Sequence, residues 1–331
     1  MTAVATVVVA PDSFKGTMSA AVVADALAAG VRDAGGSPVI AALADGGEGT
    51  ADVLRKVLNA NTISIPTAGP LGQPIDGSFL LSGDGRTAVV ETATASGLHM
   101  SSPTPGNAEA ATTYGTGVLI AAAAATGASD IWVGVGGSAS TDGGRGALRA
   151  IADAGGLGDA RLTVLCDVSS PYLDAARVFG PQKGADADTV QRLEQALNEF
   201  AQQLPRDPRE IPRTGAAGGL SGALWATHGA QLVSGIDHVL DIVGFDDLLR
   251  GADAVITGEG RLDGQTAQGK VISGVTARAV RQETPVWAVV GRCDVSTEEL
   301  HDLHIDEVIE AGNPVTIRAA ARALTMAAFR H

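Results

Sequence analysis

The stretch Thr6-Val-Val-Val-Ala10-Pro-Asp-Ser-Phe-Lys15-Gly-Thr-Met-Ser19, continued by Ala20-Ala-Val-Val-Ala-Asp25-Ala-Leu-Ala-Ala-Gly30-Val-Arg-Asp-Ala34, decides the fold class. Its first five residues form a β-branched run of strand length. From Ser19 to Ala34 the period is helical: Val22, Val23, Ala26, Leu27 and Gly30 fall on one stripe at i, i+3, i+4 spacing. Thr17 or Ser19 is placed to cap the helix start, and Gly30, Gly35-Gly36 and the turn around Pro38 end it. Lys15 therefore belongs to a strand-to-helix loop. The alternation recurs outward along the chain. Val39–Leu43 precedes Thr50–Leu58, Ile131–Val135 precedes Gly143–Ala154, and Ala254–Thr257 precedes Lys270–Arg281. Pro285–Val290, Glu307–Ile309 and Thr316–Arg330 close the chain in the same grammar. Strands alternating with helices specify an α/β protein with parallel sheet, and the two chain ends read as parts of one domain.

The middle differs. Thr67–Gly72 carries turn residues, and the strand candidates Ser78–Leu81 and Thr87–Glu91, separated by Gly83-Asp84-Gly85, read as a hairpin. Thr189–Leu204 is a polar amphipathic helix, followed by a surface connection over Pro205–Arg213. At ~150 residues per domain, a chain of 331 residues makes two domains. Apolar runs such as Val118–Ala125 reach only about eight residues, too short to cross a membrane. Met1–Ala10 has no cation and its apolar stretch stops at Pro11-Asp12, so it reads as a first strand rather than a signal peptide, with the cytoplasm as the expected location. Cys166 and Cys293 lack the paired spacing of metal clusters and are expected as buried packing residues. A net charge of −14 with 3% aromatic residues argues against nucleic acid, and no nucleic-acid partner is expected.

Only four lysines stand against nineteen arginines, and Lys15, Lys183 and Lys270 each touch a glycine. A lysine beside glycine in a loop delivers its ammonium to an anion while the backbone approaches closely, an arrangement suited to phosphate. Four glycine-rich loops flank strands: Ala10–Lys15, Asp45–Thr50, Gly134–Gly144 and Thr257–Gly269. Strand C-termini are where open α/β folds place ligands. Gly134-Val-Gly136-Gly137-Ser138-Ala139 fits a dinucleotide spacing, but it runs on into Ser140-Thr-Asp142-Gly-Gly144, whose hydroxyls and carboxylate suit a phosphate cradle and a hydrated cation better. Gly264 to Lys270 matches the first seven positions of a P-loop, yet Val271 stands where Ser or Thr must hold magnesium, so a Walker-type nucleotidase is rejected while Lys270 stays a phosphate candidate. In Asp45-Gly46-Gly47-Glu48-Gly49-Thr50 the glycines open amides to an anion at a helix start, and the acids either cap the helix, bridge a metal to phosphate or accept a proton. Glu259, Arg261 and Asp263 alternate with glycines at a strand end. There Arg261 is able to clamp a carboxylate or phosphate, and either acid to hold magnesium or take a hydroxyl proton; the alternative is a mutual salt-bridge cluster that fixes the loop. Asp12 either caps the Ser13–Thr17 turn or binds ligand. His301 and His304, among acids, read as a solvated helix face, and Ser138 lacks the partner histidine of a serine hydrolase.

Taken together, Ala10-Pro-Asp-Ser-Phe-Lys15-Gly16, Asp45-Gly-Gly-Glu-Gly-Thr50, Gly134–Gly144, Phe179-Gly-Pro-Gln-Lys183-Gly184, Gly215–Gly222 and Gly258-Glu-Gly-Arg-Leu-Asp-Gly-Gln265 closely resemble the type I glycerate kinase family. Gly69-Pro-Leu-Gly72, Ala95-Ser-Gly-Leu98 and Thr113-Tyr-Gly-Thr-Gly117 extend the resemblance over nearly the whole chain. It implies ATP- and Mg2+-dependent phosphorylation of D-glycerate, usually at the 2-hydroxyl. It also implies two α/β domains: a Rossmann-like one from residues 1–67 and 251–331, and an inserted one over 68–250. ATP phosphates would sit on Gly136–Gly137–Ser138 and Gly46–Gly49, with Lys15, Lys183 or Lys270 neutralising charge and Asp142, Glu259 or Asp45 holding magnesium. Arg261 would clamp the glycerate carboxylate, Asp263 or Asp45 would take the hydroxyl proton, and domain closure would exclude water. The chain departs from the family in being shorter between Ala154 and Leu162, in Thr141 where many relatives have Asn, and in Glu91-Thr-Ala-Thr-Ala95. A monomer or homodimer is expected. The alternatives are a non-catalytic regulator that binds glycerate or nucleotide, and a kinase for a related small hydroxy acid.

Overall fold

The computed structural model describes residues 4–264 and 271–329. Among them the strands are β1 (Thr6–Pro11), β2 (Ser37–Ile40), β3 (Asn61–Ala68), β4 (Pro74–Leu81), β5 (Thr87–Glu91), β6 (Asp130–Gly134), β7 (Arg161–Cys166), β8 (Gln231–Ser234), β9 (Ala254–Gly258), β10 (Val286–Val290) and β11 (Glu307–Glu310). They form two sheets in two compact units, one of residues 1–45 and 236–331, the other of residues 46–235. The chain is the α/β protein expected, with a parallel sheet built from both chain ends and a second α/β unit between them.

In the first unit the order is β11-β10-β9-β1-β2, all parallel. Successive residues of β10 serve opposite layers, as the two-residue period of a strand requires. Trp287 and Val289 meet Val23, Leu27, Ile317 and Leu324 of the helices Ala20–Asp33 and Pro314–Ala328. Ala288 and Val290 meet Leu262, Ile272 and Ile305 on the other side. Ser19 is the residue that caps the first helix, accepting from the Val22 amide at 3.4 Å. Val22 itself is 44% exposed, because one residue's rotation from Val23 carries it out of the buried stripe. Connections leave β1 toward β2 and leave β9 toward β10 and β11, so the chain changes direction between the adjacent strands β1 and β9. Open α/β sheets bind ligands beyond the strand C-termini at such a point.

The second unit has the order β3-β4-β5-β6-β7-β8, antiparallel across β3, β4 and β5 and parallel from β5 onward. The hairpin of β4 and β5 is as expected; β3 is not. Its eight residues pair with β4 from Asn61↔Leu81 to Ala68↔Pro74 although Pro66 interrupts the run, since an edge strand tolerates a proline. That pairing is why the second unit begins at Gly46 and not after Thr67. At the other boundary, Ile236 and Leu240 of the helix Gly235–Ile242 pack at Gly274, and Arg278 pairs with Asp237, Asp241 and Asp246. Residues from 236 onward therefore join the first unit, ahead of the expected boundary at 251. Cys166 is buried, with its thiol pushed up to about 12 by burial, whereas Cys293 is only partly buried; both are free thiols.

Candidate active site

A cleft of about 380 Å³ opens at the C-terminal ends of β1, β9 and β10 in the first unit. Asp12, Lys15, Asp45, Glu259, Arg261, Asp263 and Arg292 line it. Asp12 is held at the end of β1 by its amide, which donates to the Gly258 carbonyl at 2.8 Å, and its carboxylate accepts the Ser13 amide at 2.6 Å. It is 5% exposed. Burial, and then the neighbouring Asp45 carboxylate, push its acid up to about 6 against the pull of Lys15 and Ser13. Lys15 Nζ meets Asp45 Oδ2 at 3.4 Å, with the lysine side chain 65% exposed. Lys15, Asp45, Glu259, Arg261 and Asp263, singled out from the sequence, are thus brought into one place. Asp12, which the sequence leaves undecided, joins them there.

The loops after β9 and β10 run side by side. The Leu262 amide donates to the Arg292 carbonyl at 2.9 Å and the Asp294 amide to the Leu262 carbonyl at 2.8 Å, making a parallel bridge between Leu262 and Cys293. Leu262 is fully buried, so the alternation of extended chain turns Arg261 and Asp263 the other way. This close approach needs glycine: a Cβ on Gly291 would lie 2.5 Å from the Gly260 carbonyl oxygen. Arg292 and Asp294 are missed from sequence, although both follow directly on a strand that the periodicity identifies.

In the second unit the two glycine-rich loops come together. A Cβ on Gly136 would collide with the Cα of Gly47, so Gly46–Gly49 and Gly134–Ser138 touch backbone to backbone. Gly49 has no side chain to cap the helix Thr50–Val57, and Glu91 at the end of β5 does so instead, accepting the Ala51 amide at 2.9 Å. Burial raises the Glu91 acid above its ordinary range. The Ala95–Leu98 segment pins the second loop: Leu98 N donates to the Gly137 carbonyl at 2.7 Å, and Ala139 N to the Ser96 carbonyl at 2.8 Å. Lys183, expected on phosphate, is 4% exposed. Its Nζ donates to the Ser140 carbonyl at 2.5 Å, the Ser138 hydroxyl at 3.3 Å and the Thr141 hydroxyl at 3.4 Å, and burial lowers it to about 8.

Asp142, expected as a metal ligand, is committed within the chain. Its two oxygens accept from the hydroxyls of Thr112 and Thr113 and the amides of Thr113, Gly144 and Gly146, all within 3.1 Å. It ties together the starts of the helices Tyr114–Ala125 and Arg145–Asp153, so its oxygens are occupied by chain donors rather than presented to a cation. Lys270 lies outside the described residues. Among the described residues no three His, Cys, Asp or Glu side chains converge as a metal site by themselves. A larger cleft of about 650 Å³ contains His301 and His304, but it opens at the starts of β10 and β11, the end opposite to that where α/β sheets do chemistry. No helix among the described residues is long and apolar enough to cross a membrane.

The glycerate kinase family model matches residues 7–154 and 153–328. Its two segments meet at the end of the helix Arg145–Asp153. The chain is 38% identical over 337 residues to the glycerate kinase of Bacillus subtilis (strain 168), covering 91% of this chain and 88% of that one. It is 35% identical over 339 residues to the glycerate 2-kinase of Escherichia coli (strain K12), covering 91% and 89%. A crystal structure of a protein from Salmonella typhimurium LT2, provisionally named glycerate kinase 2, superimposes with a TM-score of 0.83 at 33% identity, covering 98% of each chain. Strand order, glycine-rich loops and switch-point cleft thus accompany a likeness that runs from end to end, and the chain belongs to the glycerate kinase family.

Proposed function

We propose that this protein transfers the γ-phosphoryl group of ATP to the 2-hydroxyl of D-glycerate. The switch-point cleft carries this conclusion, because it joins a buried, near-neutral carboxylic acid to three cationic side chains on the expected end of a parallel sheet. Asp12 is the base: with an acid near 6 it is ionised at neutral pH yet basic enough to take the hydroxyl proton as the oxygen attacks phosphorus and ADP departs. Burial and then Asp45 keep Asp12 basic, and Asp45 holds Lys15, whose ammonium offsets charge on the transferring group. Arg261 takes the glycerate carboxylate. The amides of Gly46, Gly47, Gly49, Gly136, Gly137 and Ser138 cradle ATP phosphates, and Lys183 stiffens that cradle from behind.

Glu259 and Asp45 offer hard oxygen donors, the set that suits Mg2+, which usually binds through one or two carboxylates plus substrate phosphates. When bound, the ion would offset charge on the ATP phosphates. A protein drawing on ATP fits the cytoplasm.

The test is ATP consumption with D-glycerate and Mg2+, the product identified by phosphorus NMR, with L-glycerate and glycolate alongside. Turnover confined to D-glycerate and a 2-phosphate product are expected. Folded protein that leaves D-glycerate unphosphorylated would overturn the proposal.

A further inference from the structure

Arg292 is not among the residues that composition, motif or family resemblance points to, yet it lines the cleft with Arg261. The two arginines are joined by one carboxylate. Arg261 Nε donates to Asp294 Oδ2 at 2.6 Å and Arg292 Nε to Asp294 Oδ1 at 2.6 Å. Both guanidiniums pull the Asp294 acid below its ordinary range. The backbone beneath is fixed by the Leu262–Cys293 bridge, so the paired side chains stand on two locked segments rather than on one loose loop. Asp263 Oδ2 is farther from Arg261 Nε, at 3.8 Å. With each Nε committed to Asp294, the Nη nitrogens of Arg261 and Arg292 have no hydrogen-bond partner among the described residues.

We propose that Arg261, Arg292 and Asp294 form a two-guanidinium clamp for the carboxylate of the phosphoryl acceptor, in which Asp294 is the positioning residue. This rests on the kinase reading for the identity of the acceptor. Two cations held by one anion give the Arg261–Arg292–Asp294 trio one net positive charge, which Asp263 at 3.8 Å from Arg261 partly offsets, so an incoming carboxylate is met chiefly by the Nη donors. A planar carboxylate presents two oxygens with lone pairs to both forks, whereas a polyol of the same size offers no charge to match. The clamp therefore makes the enzyme select hydroxy acids over the corresponding alcohols, through acceptor affinity rather than through the rate of phosphoryl transfer.

The experiment measures KM for D-glycerate, KM for ATP and kcat in the full-length wild type, Arg292→Ala, Arg292→Lys and Asp294→Asn. D-glycerate binding without nucleotide is followed in parallel by saturation-transfer NMR, and melting temperatures are recorded for each. Arg292→Ala and Asp294→Asn are expected to raise the D-glycerate KM about tenfold or more, with kcat within about threefold and the ATP KM unchanged. Arg292→Lys recovers only part of the loss, since an ammonium cannot be held through Nε. An unchanged D-glycerate KM in an active Arg292→Ala enzyme would refute the clamp and leave the kinase reading standing. So would a rise confined to the ATP KM, which would move these arginines onto phosphate. Conversely, a wild type that binds D-glycerate through Arg292 but phosphorylates nothing would keep the clamp and refute the kinase.

Discussion

Replacing Asp12 by Asn should slow turnover severely and stabilise the protein at the same time. The acid sits at about 6 in the folded chain against 3.8 for the ordinary side chain. The folded form thus holds its proton more tightly than the unfolded chain does. The contribution favouring the fold is complete below 3.8 and is lost as pH rises through about 6, so at neutral pH the ionised carboxylate is a burden. A shift of about two units corresponds to roughly 3 kcal/mol above pH 7, falling to about 1.6 kcal/mol at pH 5 and about 0.6 kcal/mol at pH 4. Asparagine keeps the shape and the oxygen that accepts the Ser13 amide, without the charge. At roughly 2–4 °C per kcal/mol for a folding unit of this size, Asp12→Asn should melt about 6–12 °C higher at pH 8. Melting curves of both proteins at pH 8, 5 and 4 provide the assay, with ATP turnover measured on the same samples. Activity should fall roughly 10²- to 10⁴-fold, because an amide accepts no proton. A variant that melts below wild type at pH 8, or whose gain persists undiminished at pH 4, would refute the reasoning.

Three other outcomes are expected. Lys183→Met, which fills the buried slot without the ammonium, should lower turnover at least tenfold; the wild-type rate should fall as pH rises through about 8, and that limb should be missing from the variant's residual activity. A pH–rate profile that keeps that limb would exclude Lys183 as its origin. Gly136→Ala drives a methyl group into the Gly47 backbone, so it should cost about 1–3 kcal/mol of stability and raise the ATP KM while sparing the D-glycerate KM. Both KM values rising together would count against a phosphate cradle there. Lys15→Met removes an exposed side chain, and should cut kcat about 100-fold with the melting temperature unchanged within a degree or two. Wild-type rates in that variant would take Lys15 out of the site.

Periodicity makes the parallel sheet of the first unit legible, down to the return of the C-terminal strands beside β1. The glycine-rich loops are legible too, because strand-end glycine clusters have few other uses. What escapes is whatever depends on a partner distant in sequence. Asp12 acquires its character from burial and from Asp45, both tertiary. Asp142 looks like a metal ligand in its hydroxyl-rich loop until five chain groups are seen donating to it. Lys183 looks like a phosphate ligand until its burial shows that it braces the loop. Arg292 and Asp294 become visible only when the bridge between Leu262 and Cys293 lays one loop along the other. β3 is hidden by a proline that only an edge position excuses.

The assembly of the first unit from both chain ends has a consequence for synthesis on the ribosome. β1 is an inner strand whose neighbours are β2 and β9. β2 is translated almost at once, but β9 follows more than two hundred residues later. Until then one edge of β1, with the apolar run Val7–Ala10, waits without its partner. Residues 46–235 form a contiguous unit that can close as soon as it emerges. The nascent chain should therefore mature from the middle outward, and chaperone binding should map to the N-terminal residues until β9 arrives. A circular permutant that translates residues 236–331 ahead of residues 1–45 would remove the wait and shorten that interval.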